Sequence, residues 1–214
     1  HLVVVSFIFS EEDYSIETEL ADYCDRAIMV MLGAPYAQRK PNEPRQVHRW
    51  HTWNMRKILE ELEVVDFDVV LFDFIYMAPY VDLFEGAYKV LEEHNIESNL
   101  LKQCAEASQE NSQLEKVAAD VDAVKAFLDA KKETVLLQDY EKRTWPKFDL
   151  VTLVSEADRK YIDQNCPTAK TLVVENGTDT DGITPLDESQ GRKLLFMGKL
   201  AYYPNIHGVI YFVE

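Results

Sequence analysis

Glycine is scarce in this chain, with seven in 214 residues, beside eight prolines and three cysteines. So little Gly and Pro excludes collagen-like and low-complexity architectures. Cys24, Cys104 and Cys166 lie far apart, without metal-ligand spacing, which predicts reduced thiols rather than a disulfide framework. Positive charge is also in short supply: 22 Lys and Arg stand against 38 Asp and Glu, a formal charge of −16. That balance argues against non-specific nucleic-acid binding, which needs a cationic surface, although an acidic chain can still carry a basic patch. No apolar run approaches the roughly 20 residues of a membrane-spanning helix. There is no initiator Met and no visible signal peptide, and both ends fall in apolar runs, so the chain reads as a fragment of a longer polypeptide.

What remains is ordinary globular composition, 47% hydrophobic and 28% charged, enough for one α/β domain and part of another. Leu2–Phe9 and Ala27–Leu32 are continuous apolar strand patterns, and Ile16, Leu20 and Tyr23 between them predict a helix over 14–24. Strand, helix, strand is a βαβ unit with a parallel sheet. Pro35, Pro41 and Pro44 mark a loop over 33–44, and Val47 to Leu62 reads as one helix. Strands are predicted at 68–74, 87–92 and 148–154. A helix-rich stretch over 100–145, divided near Gln109–Gln113, lies between the last two and ends at Pro146. Val117, Val121, Val124, Phe127 and Leu128 would give its second half a buried face. Ser155 caps a helix to about Asn165, with Glu156 and Asp158 in its first turn, and Thr171–Val174 closes the series.

Ligands of parallel sheets gather beyond the carboxyl ends of strands. Asp73 and Tyr76 stand at one such end, His94 at another, and Ser155 with Glu156 at a third. Each residue type there serves either structural hydrogen bonding or ligand contact. Arg39, Lys40, Arg45, Arg49, Arg56 and Lys57, with His48 and His51, form a basic segment over 39–57 in which Glu43 is the only acid. It reads either as a solvated helix face or as a docking surface for an anionic acceptor or a membrane headgroup layer.

After Val174 the chain runs Glu175-Asn176-Gly177-Thr178-Asp179, then through Gly182 and Pro185 to a new apolar run, Lys193–Met197. Asn-Gly is a turn signal, because Gly and, less readily, Asn accept positive φ. Asn176-Gly177-Thr178 also fits a glycosylation sequon and is read as turn chemistry. The organisation expected is a Rossmann-like domain over 1–175, a linker over 176–192, and over 193–214 the first strand–loop–helix of a second Rossmann-like domain.

Five phrases, in this order, carry a resemblance: Glu93-His94-Asn95-Ile96-Glu97-Ser98; Tyr140-Glu141 with Trp145 and Phe148-Asp149; Val154-Ser155-Glu156-Ala157-Asp158; Asn176-Gly177-Thr178-Asp179; and Leu195-Phe196-Met197-Gly198 leading to Tyr203-Pro204-Asn205-Ile206 and Tyr211-Phe212. Together they resemble the family-4 glycosyltransferases of the GT-B fold. The resemblance implies two Rossmann-like domains facing a cleft, the N-terminal one for the acceptor and the C-terminal one for the donor. It implies transfer of a sugar from a nucleotide-diphospho-sugar co-substrate with retention of configuration, no other cofactor and no essential metal. The acceptor would be a glycan, a lipid or a small molecule, reached through the basic segment if lipid-linked. The protein would be cytoplasmic, or peripheral at the inner membrane face.

By the same resemblance, His94 is the cleft-facing catalytic residue that contacts the donor sugar. Gly198, Lys199 and Asn205 would bind the donor, and Asp73, Tyr76, Ser155 and Glu156 line the acceptor side. The family often has a basic pair after its first donor-domain strand. Lys199 fills one position, but Tyr202-Tyr203-Pro204-Asn205 supplies no second base. That departure leaves two other readings open: a GT-B-like binding or partner-dependent subunit without catalysis, and a sugar-nucleotide epimerase of the same fold.

Overall fold

The computed structural model describes residues 1–111, 121–182, 194–199 and 203–213. The chain divides into two compact units, His1–Glu175 and Asn176–Glu214.

The first unit is α/β with parallel strands. β1 (Val3–Ile8) and β2 (Arg26–Met31) pair in parallel, from Val3 opposite Arg26 to Ile8 opposite Met31. The predicted helix over 14–24 is shorter than its periodicity suggests: a 3-10 turn at Glu11–Ser15 leads into α1 (Ile16–Leu20). The Asp13 carboxylate accepts the N–H groups of Phe9 and Ser10, each at 2.9 Å, and bends the chain tightly after β1. Tyr23, expected on the helix's apolar face, is exposed, so no packing extends the helix that far.

The single helix expected over 47–62 is two, α2 (Arg45–Trp50) and α3 (Trp53–Leu62). Thr52 interrupts them. Its side chain accepts the Met55 N–H at 3.3 Å as an N-cap, and its own N–H donates to the Tyr80 hydroxyl at 2.8 Å. The periodicity survives the break because Val47, Met55 and Leu62 are all buried.

β3 (Val69–Asp73), β4 (Tyr88–Glu93), β5 (Leu150–Leu153) and β6 (Thr171–Val173) form a four-stranded sheet in that order, every pair parallel. A 3-10 segment at Ile75–Leu83, containing Pro79, joins β3 to β4, where the sequence analysis places no helix. Its apolar side chains fill the core: Ile75, Ala78, Tyr80 and Val81 are all buried. α4 (Glu97–Asn111) and α5 (Val121–Thr144) follow β4, and α6 (Glu156–Asn165) follows β5. α4 is described to Asn111, and the rest of the division expected near Gln109–Gln113 lies outside the described residues. The face expected from Val117, Val121, Val124, Phe127 and Leu128 lies outside the described side chains. Pro146 stops α5, as its missing N–H requires, in a 3-10 turn at Trp145–Lys147. Trp145, Leu91, Val151 and Ile162 are fully buried and belong to one core cluster that joins the sheet to α6 and to the turn after α5.

One strand departs from its pattern. The continuous apolar run of β3 predicts burial on both faces, as parallel strands have. Phe72 is buried, but Val69 and Leu71 on the alternate face are 56% and 57% exposed.

In the second unit, Leu194–Met197 are exposed and form no strand, against the expectation for 193–197. A strand needs a neighbour for its ladder, and no other strand occurs among that unit's described residues. The expected helix is present as α7 (Tyr203–Val213). Of the expected linker, Asn176–Gly182 is irregular and 183–192 lies outside the described residues.

Candidate functional site

The parallel register of β3 and β4 builds the site. It sets Asp73 directly opposite Glu92 at the carboxyl ends of the two strands. His94 lies two residues beyond Glu92, where the period of a strand returns it to the same side. Its Nε2 lies 3.0 Å from Asp73 Oδ1, a bond that ties the two strand ends together. The Phe74 ring packs against the imidazole, with centroids 4.8 Å apart. Phe74 holds φ at 70°, a backbone region unfavourable to a side chain with a Cβ. Its N–H donates to the Glu92 carbonyl and its carbonyl accepts from the Met77 N–H, each at 3.0 Å, which fixes that turn. Strain of this kind costs of order 1–3 kcal/mol and persists only where surrounding contacts over-determine it.

His94 is half-buried and Asp73 exposed, so this face is open to a ligand. Its chemistry is that of an imidazole oriented by a carboxylate: it can donate or accept one proton or hydrogen bond. Among the described residues, Asp73, Glu92 and His94 are also the group whose ligand atoms lie close enough, within 4.8 Å of one another, to share a metal ion.

The other candidates separate. The Tyr76 hydroxyl donates to Glu97 Oε2 at 2.8 Å, and burial, reinforced by the Glu97 charge, pushes its pKa well up. Tyr76 is therefore turned toward the half-buried Glu97. Ser155 caps α6: its Oγ accepts the Asp158 N–H at 3.1 Å and donates to Asp158 Oδ2 at 2.7 Å. Glu156 is exposed and pairs with Arg159 at 2.9 Å.

Gly198, Lys199 and Asn205 come together within the second unit. The Asn205 side-chain amide donates to the Lys199 carbonyl at 3.1 Å. A Cβ on Gly198 would lie 2.8 Å from that amide nitrogen, so the turn is closed around a glycine. The Lys199 side chain is exposed.

The basic segment is tied into its own fold. Arg39 and Arg45 pair with Glu133 of α5 at 2.7 and 3.2 Å, Arg45 also reaches Asp129, and Arg56 pairs with Glu60 at 2.6 Å. Glu133 and Asp129, distant in sequence, supply the partners of Arg39 and Arg45, while Glu60 lies four residues from Arg56. No helix among the described residues is long and apolar enough to cross a membrane.

Behind His94 lies a group of acids that the sequence analysis does not nominate. Glu93 and Glu141 are fully buried. The Trp145 indole N–H donates to Glu93 Oε1 at 2.9 Å, while Glu93 Oε2 has no hydrogen-bond partner. Glu141, from α5, takes both the backbone N–H of Ser98 at 2.9 Å and the Ser98 hydroxyl at 2.5 Å. It thus caps the N-terminus of α4 from another helix. Burial raises all three acids: Glu93 well above its usual range, Glu97 upward, and Glu141 to about 7. The sequence held one signal of this: strand alternation puts Glu93 on the same face as the fully buried Leu91.

Comparison with known proteins gives no match: no family model, no curated protein and no solved structure corresponds to this chain.

Proposed function

We propose that the chain is the acceptor-side part of a retaining glycosyltransferase of the GT-B kind, taking its sugar from a nucleotide-diphospho-sugar. The observation that carries this reading is the Asp73–His94 pair. An oriented imidazole at the carboxyl ends of adjacent parallel strands is placed where sheets of this class hold ligands. The phrase Glu93-His94-Asn95, and a second compact unit that opens at Asn176-Gly177, add to it.

In this reading His94 hydrogen-bonds the transferring sugar as charge moves to the departing diphosphate, and Asp73 keeps the imidazole in one orientation. The leaving diphosphate needs donors fixed before the bond breaks. Lys199 and the backbone N–H groups at the start of α7, near Asn205, would supply them, as helix N-termini do for phosphates. Peripheral contact with lipid-linked acceptors through residues 39–57 belongs to the same proposal.

Saturation-transfer NMR of the full-length protein with UDP-, GDP- and dTDP-sugars tests it. One donor should give signals from its sugar protons that weaken at least tenfold in His94→Ala, while its nucleobase signals persist. Absence of binding by every donor overturns the reading.

A further inference from the structure

We propose that β1 and β3 flank a slot for one further parallel strand, and that an apolar segment of the same polypeptide N-terminal to His1 fills it.

The described strands fall into two parallel sheets, β1 with β2 and β3 to β6, and no ladder joins the two. The sheets still share one core: Val30 of β2 clusters with Phe72 of β3, and Val5, Phe7 and Ile28 pack against the same cluster. Doubly wound parallel sheets commonly take one of two strand orders, 2-1-3-4-5 or 3-2-1-4-5-6. The first would need β1 bonded to β3, and it is not. In the second, the earliest strand lies between its successor and the fourth. The series β2, β1, slot, β3, β4, β5 is that order, and the sheet divides where its earliest strand belongs.

Both flanking strands are built as interior strands. The Ile8 carbonyl accepts from Leu32, which faces β1 toward β2, and Asp68 and Phe74 bond β4 at the two ends of β3. By the alternation of a strand, the backbone groups of Val3, Val5 and Phe7, and those of Val69, Leu71 and Asp73, point the other way, toward the slot. β1 carries no charge and no proline, the usual guards of a true edge, whereas β6 at the far edge is three residues long. β1 is apolar except for Ser6, as a strand covered on both faces should be, yet only its Ile8 is buried.

The exposed face of β3 fits the same slot. Parallel crossovers are right-handed, so strands stepping in opposite directions across a sheet place their connections on opposite faces. β3 to β6 step away from the slot, and the face of Phe72 and Leu91 lies in the core with Trp145 and Ile162. A crossover from the slot strand to β1 steps the other way. It would cover the opposite face, where Val69 and Leu71 are exposed although Val90, opposite Leu71, is buried. β1 to β6 are linked in chain order, so this crossover enters the sheet at the amino end of β1, next to His1. The winding reverses between the slot and β3, where ligands of such sheets collect, so the loop leaving the slot strand would border Asp73 and His94. The inference needs no nucleotide-sugar and stands apart from the glycosyl-transfer reading.

The test is NMR of the full-length protein, labelled with 15N and 13C, reading amide exchange and NOEs between strands. After correction for intrinsic exchange, the Val5, Val69 and Leu71 amides should exchange within tenfold of the Val70 and Phe72 amides, which face β4. Their NOEs should lead to one strand whose residues precede His1. Val69 and Leu71 amides exchanging more than tenfold faster than Val70 and Phe72 would overturn the slot, and so would NOEs joining β1 directly to β3. NOEs to a strand from beyond Glu214, or from a second molecule in a mixed-label sample, would overturn the occupant. A strand and its crossover need about 15 residues or more, so a natural polypeptide with fewer before His1 would also overturn it.

Discussion

The Tyr80 hydroxyl joins α2 to α3: it accepts the Thr52 N–H at 2.8 Å and donates to the Trp50 carbonyl at 2.7 Å. One phenol thus serves the two backbone groups that the helix break would otherwise leave unpaired in a buried place. Tyr80→Phe keeps the ring and removes both bonds. A loss of about 1–3 kcal/mol is expected, the cost of stranding buried polar groups. Urea unfolding measures it, and the midpoint should fall with the slope unchanged.

Ser155 separates a structural role from a ligand role. As the cap of α6, its replacement by Ala should lower stability by about 1 kcal/mol. Donor and acceptor binding by the full-length protein should then stay within twofold of wild type. A tenfold loss of binding with unchanged stability would return Ser155 to the ligand site.

His51 gives a pH dependence of its own. Desolvation, then the nearby Arg56 charge, holds its pKa below the usual 6.5, and its Nε2 has no partner. The unfolded chain therefore takes up the proton first on acidification. Stability is fully present above about 6.5 and is lost as pH falls through the lower folded pKa. His51→Asn should flatten the dependence of the urea midpoint on pH below about 6.5. The trend is opposite in sign to that of the buried glutamates, so total stability against pH should pass through a maximum.

Chelation distinguishes two chemistries at the strand ends. The close approach of Asp73, Glu92 and His94 suits a divalent ion as well as a hydrogen-bonding imidazole. If the proposed sugar transfer uses His94 uncoordinated, any transfer by the full-length protein should survive EDTA within twofold, and this is the expected outcome. Loss of transfer with recovery on adding Mn2+ or Zn2+ would instead place an ion on those three residues.

Much of the first unit was legible in the sequence because its signals are local. Apolar runs marked β1 to β6, Pro146 marked the end of α5, and Ser155 announced its own helix. The misses are tertiary. The break at Thr52 depends on Tyr80, which lies 28 residues away. The strand expected at 193–197 had propensity but no neighbour to pair with among the described residues. The neutralised arginines depend on Glu133, 94 residues from Arg39. At the site, His94 and Asp73 could be placed at strand ends, but only the register of β3 with β4 shows that they touch. Glu141 was visible as a letter in a phrase and not as a group bonded to Ser98.

Every pair of strands among the described residues is parallel, so none of those pairs is a hairpin that could start folding. β4 and β5 are neighbours although the Lys89–Asp149 bond between them spans 60 residues, with α4 and α5 in the intervening chain. Closing a loop of that size costs entropy before its contacts repay it. The β4–β5 seam should therefore zip late, after β3 has met β4. Glu93 and Trp145 meet across the same seam. The acids behind His94 would be desolvated in the last stage of assembly, and slow refolding at alkaline pH would be the kinetic mark of it.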